Sequence, residues 1–74
     1  MIMVVEIQKM NIRIAMVKEG VNAKQLSQKV PIDYIYLTKI LNGKFKPSEL
    51  MAIKIANALN VDVSEIFDIK EEVR

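Results

Sequence analysis

The stretch NAKQLSQKVPIDYIYLTKILNG, residues 22–43, decides how the chain folds. Asn22, with Gln25 three residues on, has the form of a capping box, in which two side chains satisfy the orphan N–H groups of a helix start. A short helix over about 23–29 follows, with Leu26 and Val30 on its buried side. Pro31 stops it, because the proline ring disfavours α geometry at the residue before it. Asp33 then caps a second helix over about 34–41, closed by Asn42-Gly43. Two short capped helices are thus joined by the tight connection Val30-Pro31-Ile32. At about 100° per residue, Leu37, Ile40 and Leu41 fall on one side of the second helix. Ile35, Thr38, Lys39 and Asn42 fall on the other.

Start and stop signals divide the rest of the chain in the same way. Asn11 is placed to cap a first helix over about 12–19, ended by Gly20, with Ile12, Ala15, Met16 and Glu19 on one face. Pro47-Ser48-Glu49 opens a fourth helix over about 49–59, whose buried face is Met51, Ala52, Ile55, Ala56 and Leu59. Asn60 suits a left-handed cap, and Asp62-Val63-Ser64-Glu65 reads as a second capping box that opens a last short helix through Phe67. The ends read differently. Residues 2–7 are rich in Val, Ile and Met, and Phe67, Ile69 and Val73 recur at even spacings, a strand pattern. One reading pairs 2–8 with 67–73; the rival extends helix one backwards, since Met3, Ile7, Met10 and Ile14 also fit helical spacing. The expected fold is all-α, five helices, with or without a short two-stranded β pairing of the termini. Residues 1–10 read as an arm or strand, 11–67 as the domain and 68–74 as an acidic tail or strand, with no repeats or linker.

Composition narrows the function. The 74 residues allow one small domain and contain no Cys, His or Trp. Without cysteine there is no disulfide framework or thiolate metal site, which fits a reducing cytoplasm. Without histidine the commonest general base and metal ligand are gone, so no enzyme and no metal or other cofactor is expected. A hydrophobic fraction of 51% argues for a folded core, although a core of this size rarely supplies more than about 3–5 kcal/mol. The apolar start is too short to be a signal or a membrane span and is broken by Glu6. The five methionines are scattered, as core fillers are. The net charge of +2 hides a polarity. Residues 7–46 carry eight cations against two carboxylates, while residues 62–74 carry five carboxylates against two cations. A basic body with an acidic tail suits a polyanion on one face.

The two capped helices and their turn have helix-turn-helix spacing. The outward side of the second offers hydrogen-bonding and apolar groups of the kind that read major-groove edges. Asn42, Lys44 and Lys46 follow directly, where side chains and loop N–H groups can hold backbone phosphates. Beyond that spacing, Gly20-Val21-Asn22, Gln25 through Val30, Tyr36 through Ile40, Asn42-Gly43-Lys44, Pro47-Ser48, Ile55 through Val61 and Glu65-Ile66-Phe67 stand in a telling order. Across Asn11–Phe67 the chain resembles the Cro/lambda-repressor-type helix-turn-helix family of transcription regulators.

The resemblance implies a five-helix domain that binds double-stranded DNA, usually as a homodimer; the sequence itself gives no sign of a small-molecule ligand. Position by position, it implies base contacts from Tyr34, Ile35, Thr38 and Lys39, and phosphate contacts from Asn22, Asn42, Lys44 and Lys46. Tyr36 reads as packing or a phosphate contact, and Lys18, Lys24 and Lys29 as solubilising. Several positions depart from the family pattern: Pro31 replaces a usual Gly, Ala23 a usual Gln, and Ile35 a usual polar reader. In the family a helix-one Arg often pairs with a Glu before the Asn-Gly. Here Met16 and Leu41 occupy those positions, so their side chains are expected to meet. Leu50 lies off the main buried face of helix four and reads, with the apolar ends, as a dimer contact; removing residues 1–8 is then expected to weaken association. The function expected is a repressor-like regulator that inserts helix three into the major groove of an operator. The alternative is a degenerate helix-turn-helix acting as a protein-interaction module, such as an antitoxin or anti-repressor.

Overall fold

In the computed structural model, which describes residues 2–72, the first helix begins earlier than the cap signal at Asn11 suggests. Strand β1 runs over Ile2–Ile7, and helix α1 follows almost at once over Lys9–Glu19. Gln8 occupies the cap position without a side-chain cap, and the Asn11 side chain instead donates to the Gln8 side chain. Lys9 and Met10 therefore belong to the helix rather than to an arm. Helix α2 (Ala23–Lys29), α3 (Tyr34–Leu41), α4 (Glu49–Ala58) and α5 (Val63–Ile66) come next, and strand β2 (Phe67–Glu72) closes the order. The molecule is a five-helix domain with one antiparallel two-stranded ribbon.

The caps explain where most of these helices start. Asn22 accepts from the Gln25 N–H and donates its own N–H to the Gln25 side chain, the full reciprocal box. Asp33 accepts from the Tyr36 N–H and Ser48 from the Met51 N–H. At Asp62 the second expected box, with Glu65, does not form, although Asp62 does cap the helix. Its carboxylate accepts from the backbone N–H and the hydroxyl of Ser64, two residues on. Those two donors hold the Asp62 carboxyl below its ordinary pKa. The helix it opens lasts one turn, and Phe67 belongs to β2 rather than to the helix. Asn60 takes the left-handed conformation expected of it, at φ 57°. Gly43 does the same after α3, at φ 77°, where any side chain would be strained.

The termini pair as strands, so the rival helical extension does not occur. The register sets Val5 opposite Ile69 and Ile7 opposite Phe67 on the face turned to the helices. Val4 opposite Lys70 and Glu6 opposite Asp68 face away. Val5 and Phe67 are buried, and this decides the contest: as a strand the segment buries alternate side chains on a ready apolar floor. An isolated two-stranded ribbon is marginal in water; here α5 runs straight into β2 and the core covers one face. Val73, the last residue of the even-spaced pattern, lies outside the described residues.

One core joins every element. Ile12 and Ala15 of α1 meet Leu26 and Val30, Leu37 and Ile40 of α3, Ala52, Ile55, Ala56 and Leu59, Ile66, and the two strand residues. Met51, expected on the buried face of α4, is only partly covered. Burying each Leu, Ile or Phe is worth about 1.5–3 kcal/mol. Leu37 and Ile40, with no exposed surface, fix α3 with its opposite side outward.

Candidate nucleic-acid interface

The helix-turn-helix is built by its own hydrogen bonds. The Val30 N–H donates to the Leu26 carbonyl, and the Ile32 N–H reaches back to the Ser27 carbonyl at 2.9 Å, closing the turn around Pro31. Leu26 and Val30 on one side and Leu37 and Ile40 on the other are buried, so α3 cannot rotate without exposing core.

The expected base-reading positions lie on the outer side of α3, with one set back. Tyr34, Ile35, Lys39 and Asn42 are exposed, Ile35 at 61% of its surface. Thr38 is half-buried and its hydroxyl donates to the Ile35 carbonyl at 2.7 Å, so its proton is used inside the helix and only its lone pairs face outward. Among the expected phosphate residues, Asn22 is exposed but its side-chain oxygen is occupied by the cap, leaving its amide N–H₂ as the donor. Tyr36 is half-buried and packs on the core, as the packing reading anticipates. Lys44 and Lys46 are exposed, and Lys46 reaches Glu6 at 4.0 Å, an exposed pair of little energetic weight.

One expectation is corrected. Four of the loop N–H groups turn inward instead of standing free as phosphate donors. Those of Asn42, Gly43, Lys44 and Phe45 donate to the carbonyls of Thr38, Ile40, Lys39 and Lys39 in turn. These bonds wind the loop back onto the last turn of α3 and satisfy carbonyls that a helix end leaves unpaired.

Two residues join the site that sequence reasoning passed over. The winding of the loop brings Phe45 over the outer side of α3. Its ring lies edge-on to Tyr36, with centroids 5.8 Å apart and planes at 64°, and the Lys39 ammonium sits 5.2 Å from its centroid. The signal was present: an aromatic between two lysines, immediately after the recognition-type helix. Lys9, at the start of α1, lies against Gly43, so close that a Cβ there would stand 2.8 Å from its Cε. It adds a fourth cation to Lys39, Lys44 and Lys46. Spacing along the chain could not show this, because Lys9 is far from the motif in sequence.

Met16 and Leu41, the apolar substitutes for the family's charged pair, are both half-buried and line one shallow cleft of about 230 Å³ with Arg13, Ala23, Thr38 and Asn42. Leu41→Glu alone is expected to cost about 1–3 kcal/mol, because it replaces apolar contact in that cleft with a partly desolvated carboxylate. Adding Met16→Arg is expected to recover part of the loss, a coupling of about 0.5–3 kcal/mol. Urea unfolding of the two single variants and the double one measures it; strictly additive changes mean that the side chains do not meet.

A helix-turn-helix scaffold seated in the core, with the outer side of its second helix exposed and lysines gathered beside it, is the arrangement of a DNA-binding module. A family model described as helix-turn-helix matches residues 12–66, and the chain belongs to that family, in its Cro/C1-type branch. The family is one of DNA-binding regulators, not of enzymes. No curated protein matches the sequence. Among solved structures, the fold is similar to that of a protein from Bacteroides fragilis provisionally assigned as DNA-binding. The TM-score is 0.69 at 19% identity, over 90% of this chain and all of that one. At that identity the likeness speaks for the fold. Among the described residues no helix is long and apolar enough to cross a membrane.

Proposed function

We propose that the protein is a transcriptional repressor of the cytoplasm that binds an operator as a homodimer, with α3 of each protomer in the major groove. The observation that carries this reading is the exposed outer side of α3, with Lys39 in its last turn and Lys9, Lys44 and Lys46 beside it. Tyr34, Ile35, Thr38 and Lys39 are the base-facing set; Asn22, Tyr36, Asn42, Lys44 and Lys46 are the phosphate-facing set. Two half-sites would then be centred roughly 34 Å apart. The test is binding of the protein to duplexes that it selects from a randomised pool, against scrambled duplexes, at several salt concentrations. A linear fall of log affinity with log salt is expected.

The ribbon supports the dimer. Of the six residues in β1 only Glu6 is charged, whereas β2 carries Asp68, Lys70, Glu71 and Glu72. Proteins guard open strand edges with charge, so β2 is guarded and β1 is not. Two β1 strands meeting antiparallel about Val4 would join the ribbons into four strands. Deleting residues 1–8 would weaken that dimer but would also strip Val5 from the core. Val4→Glu is the cleaner variant, because Lys70 stands opposite it within the chain and the new charge would meet its own copy across the edge. Sedimentation is expected to show weaker self-association with an unchanged helical spectrum. An equally tight dimer removes the β1 interface.

A second reading is favoured by one observation, the exposed apolar pair Tyr34 and Ile35 at the start of α3. A helix-turn-helix that docks protein, as an antitoxin or anti-repressor does, would use that pair. An absence of salt-dependent DNA binding selects it.

A further inference from the structure

We infer that Phe45 is a positioning residue for Lys39: its ring holds the lysine ammonium beside the end of α3, so that the side chain is already set when DNA arrives. The inference rests on the DNA-binding reading above but makes its own claim about the unbound protein.

Three observations carry it. The Lys44 and Phe45 N–H groups both donate to the carbonyl of Lys39 itself, at 2.9 and 3.3 Å, so the loop is fastened to the residue whose side chain it then receives. Tyr36, one turn before Lys39 on the same helix, meets the Phe45 ring edge-on at 5.8 Å and limits its swing. The Lys39 ammonium lies 5.2 Å from the ring centroid, within the range of a cation–π contact, while Phe45 keeps 47% of its surface open. A phenylalanine held half in solvent between Lys44 and Lys46 gains little as core filling. As a platform for a cation it has a use. A free lysine loses much rotamer freedom when a groove immobilises it, and the ring removes part of that loss beforehand. One face of the ammonium rests on the ring, and its remaining N–H donors stay available for a base edge.

The test uses the full chain and a duplex that it selects from a randomised pool. Phe45→Leu keeps an apolar group against Tyr36 and removes the aromatic face. It is expected to weaken binding to the selected duplex about two- to fivefold, the size of an exposed cation–π contact, with the salt slope unchanged because no charge is lost. In a Lys39→Ala background the same change is expected to have no effect, and Phe45→Trp is expected to restore parent affinity. In the unbound protein the Lys39 ε-methylene protons are expected upfield of ordinary lysines by NMR, returning to normal in Phe45→Leu. Thermal unfolding of each variant controls for the fold.

Additive effects of Phe45→Leu and Lys39→Ala overturn the inference. So does tighter binding by Phe45→Leu, which means that the ring holds the lysine away from DNA. An ordinary chemical shift for Lys39 in the unbound parent overturns it without touching the DNA-binding reading. A shifted Lys39 in a parent with no salt-dependent DNA binding leaves the contact standing, but overturns both its purpose and the reading beneath it.

Discussion

Leu37→Ala is expected to leave the chain largely unfolded at 25 °C. Leu37 is fully buried at the point where α3 enters the core beside Ile40 and the residues of α2. Truncating a buried leucine costs about 2–5 kcal/mol, from lost burial plus the cavity left behind. A core this small rarely supplies more than about 3–5 kcal/mol in total, so the loss approaches the whole stability. Two residues earlier, Ile35→Ala removes an isomeric side chain from the exposed side of the helix and is expected to change stability by no more than about 0.5 kcal/mol. Urea unfolding followed by circular dichroism compares the two. A Leu37→Ala midpoint close to that of the parent would mean that α3 is not seated through this residue.

The second large effect is functional. Lys39 and Lys44 are expected to fail differently on DNA. Lys39 projects from the outer side of α3, where a long donor can reach guanine O6 or N7, and Lys44 stands in the loop, where the duplex backbone would pass. Base contacts set sequence preference and phosphate contacts set general affinity. Lys39→Ala is therefore expected to cost about 1–3 kcal/mol on the selected duplex and far less on scrambled DNA. Lys44→Ala should weaken both alike and lower the salt slope by roughly one unit per protomer. Ile35→Ala should lose less than Lys39→Ala unless a thymine methyl is its partner. Binding of each variant to both duplexes across a salt series separates the cases. Equal losses from Lys39→Ala and Lys44→Ala on both duplexes would remove base reading from α3.

Most of the fold was legible because its signals are local. The Asn22–Gln25 box, the Asp33 and Ser48 caps, Pro31 and Asn60 each act within a few residues, and each does in space what the spacing indicates. The first helix start was missed for a physical reason. Asn11 is a good capping residue, but tertiary pairing of Gln8 with the far end of the chain outweighs it. The Gln8 N–H donates to the Ile66 carbonyl and its side chain to Asp68. The same long-range pairing chose strand over helix for residues 2–7, a choice that periodicity alone left open. At the site, the outer side of α3 followed from wheel arithmetic. Phe45, Lys9 and the inward-turned loop N–H groups did not, because they depend on how the loop after α3 folds back rather than on any spacing within the helix.

The ribbon also sets an order of events in folding. Val5 and Ile69 are paired although 64 positions apart, and the other ladder partners are separated to a similar degree. Closing so long a loop is an entropic cost that must be met before the contact returns anything. The helix-turn-helix has no such obligation, since α2 and α3 are neighbours in sequence and in space. On the ribosome, β1 emerges first yet waits for β2 to be made. Through that interval the apolar run Ile2–Val5 has no strand beside it, and the helical body must gather without the two strand residues that complete its core. The chain is thus at its most adhesive while it is being synthesised, and a nascent neighbour on the same message would be the nearest strand with the same sequence.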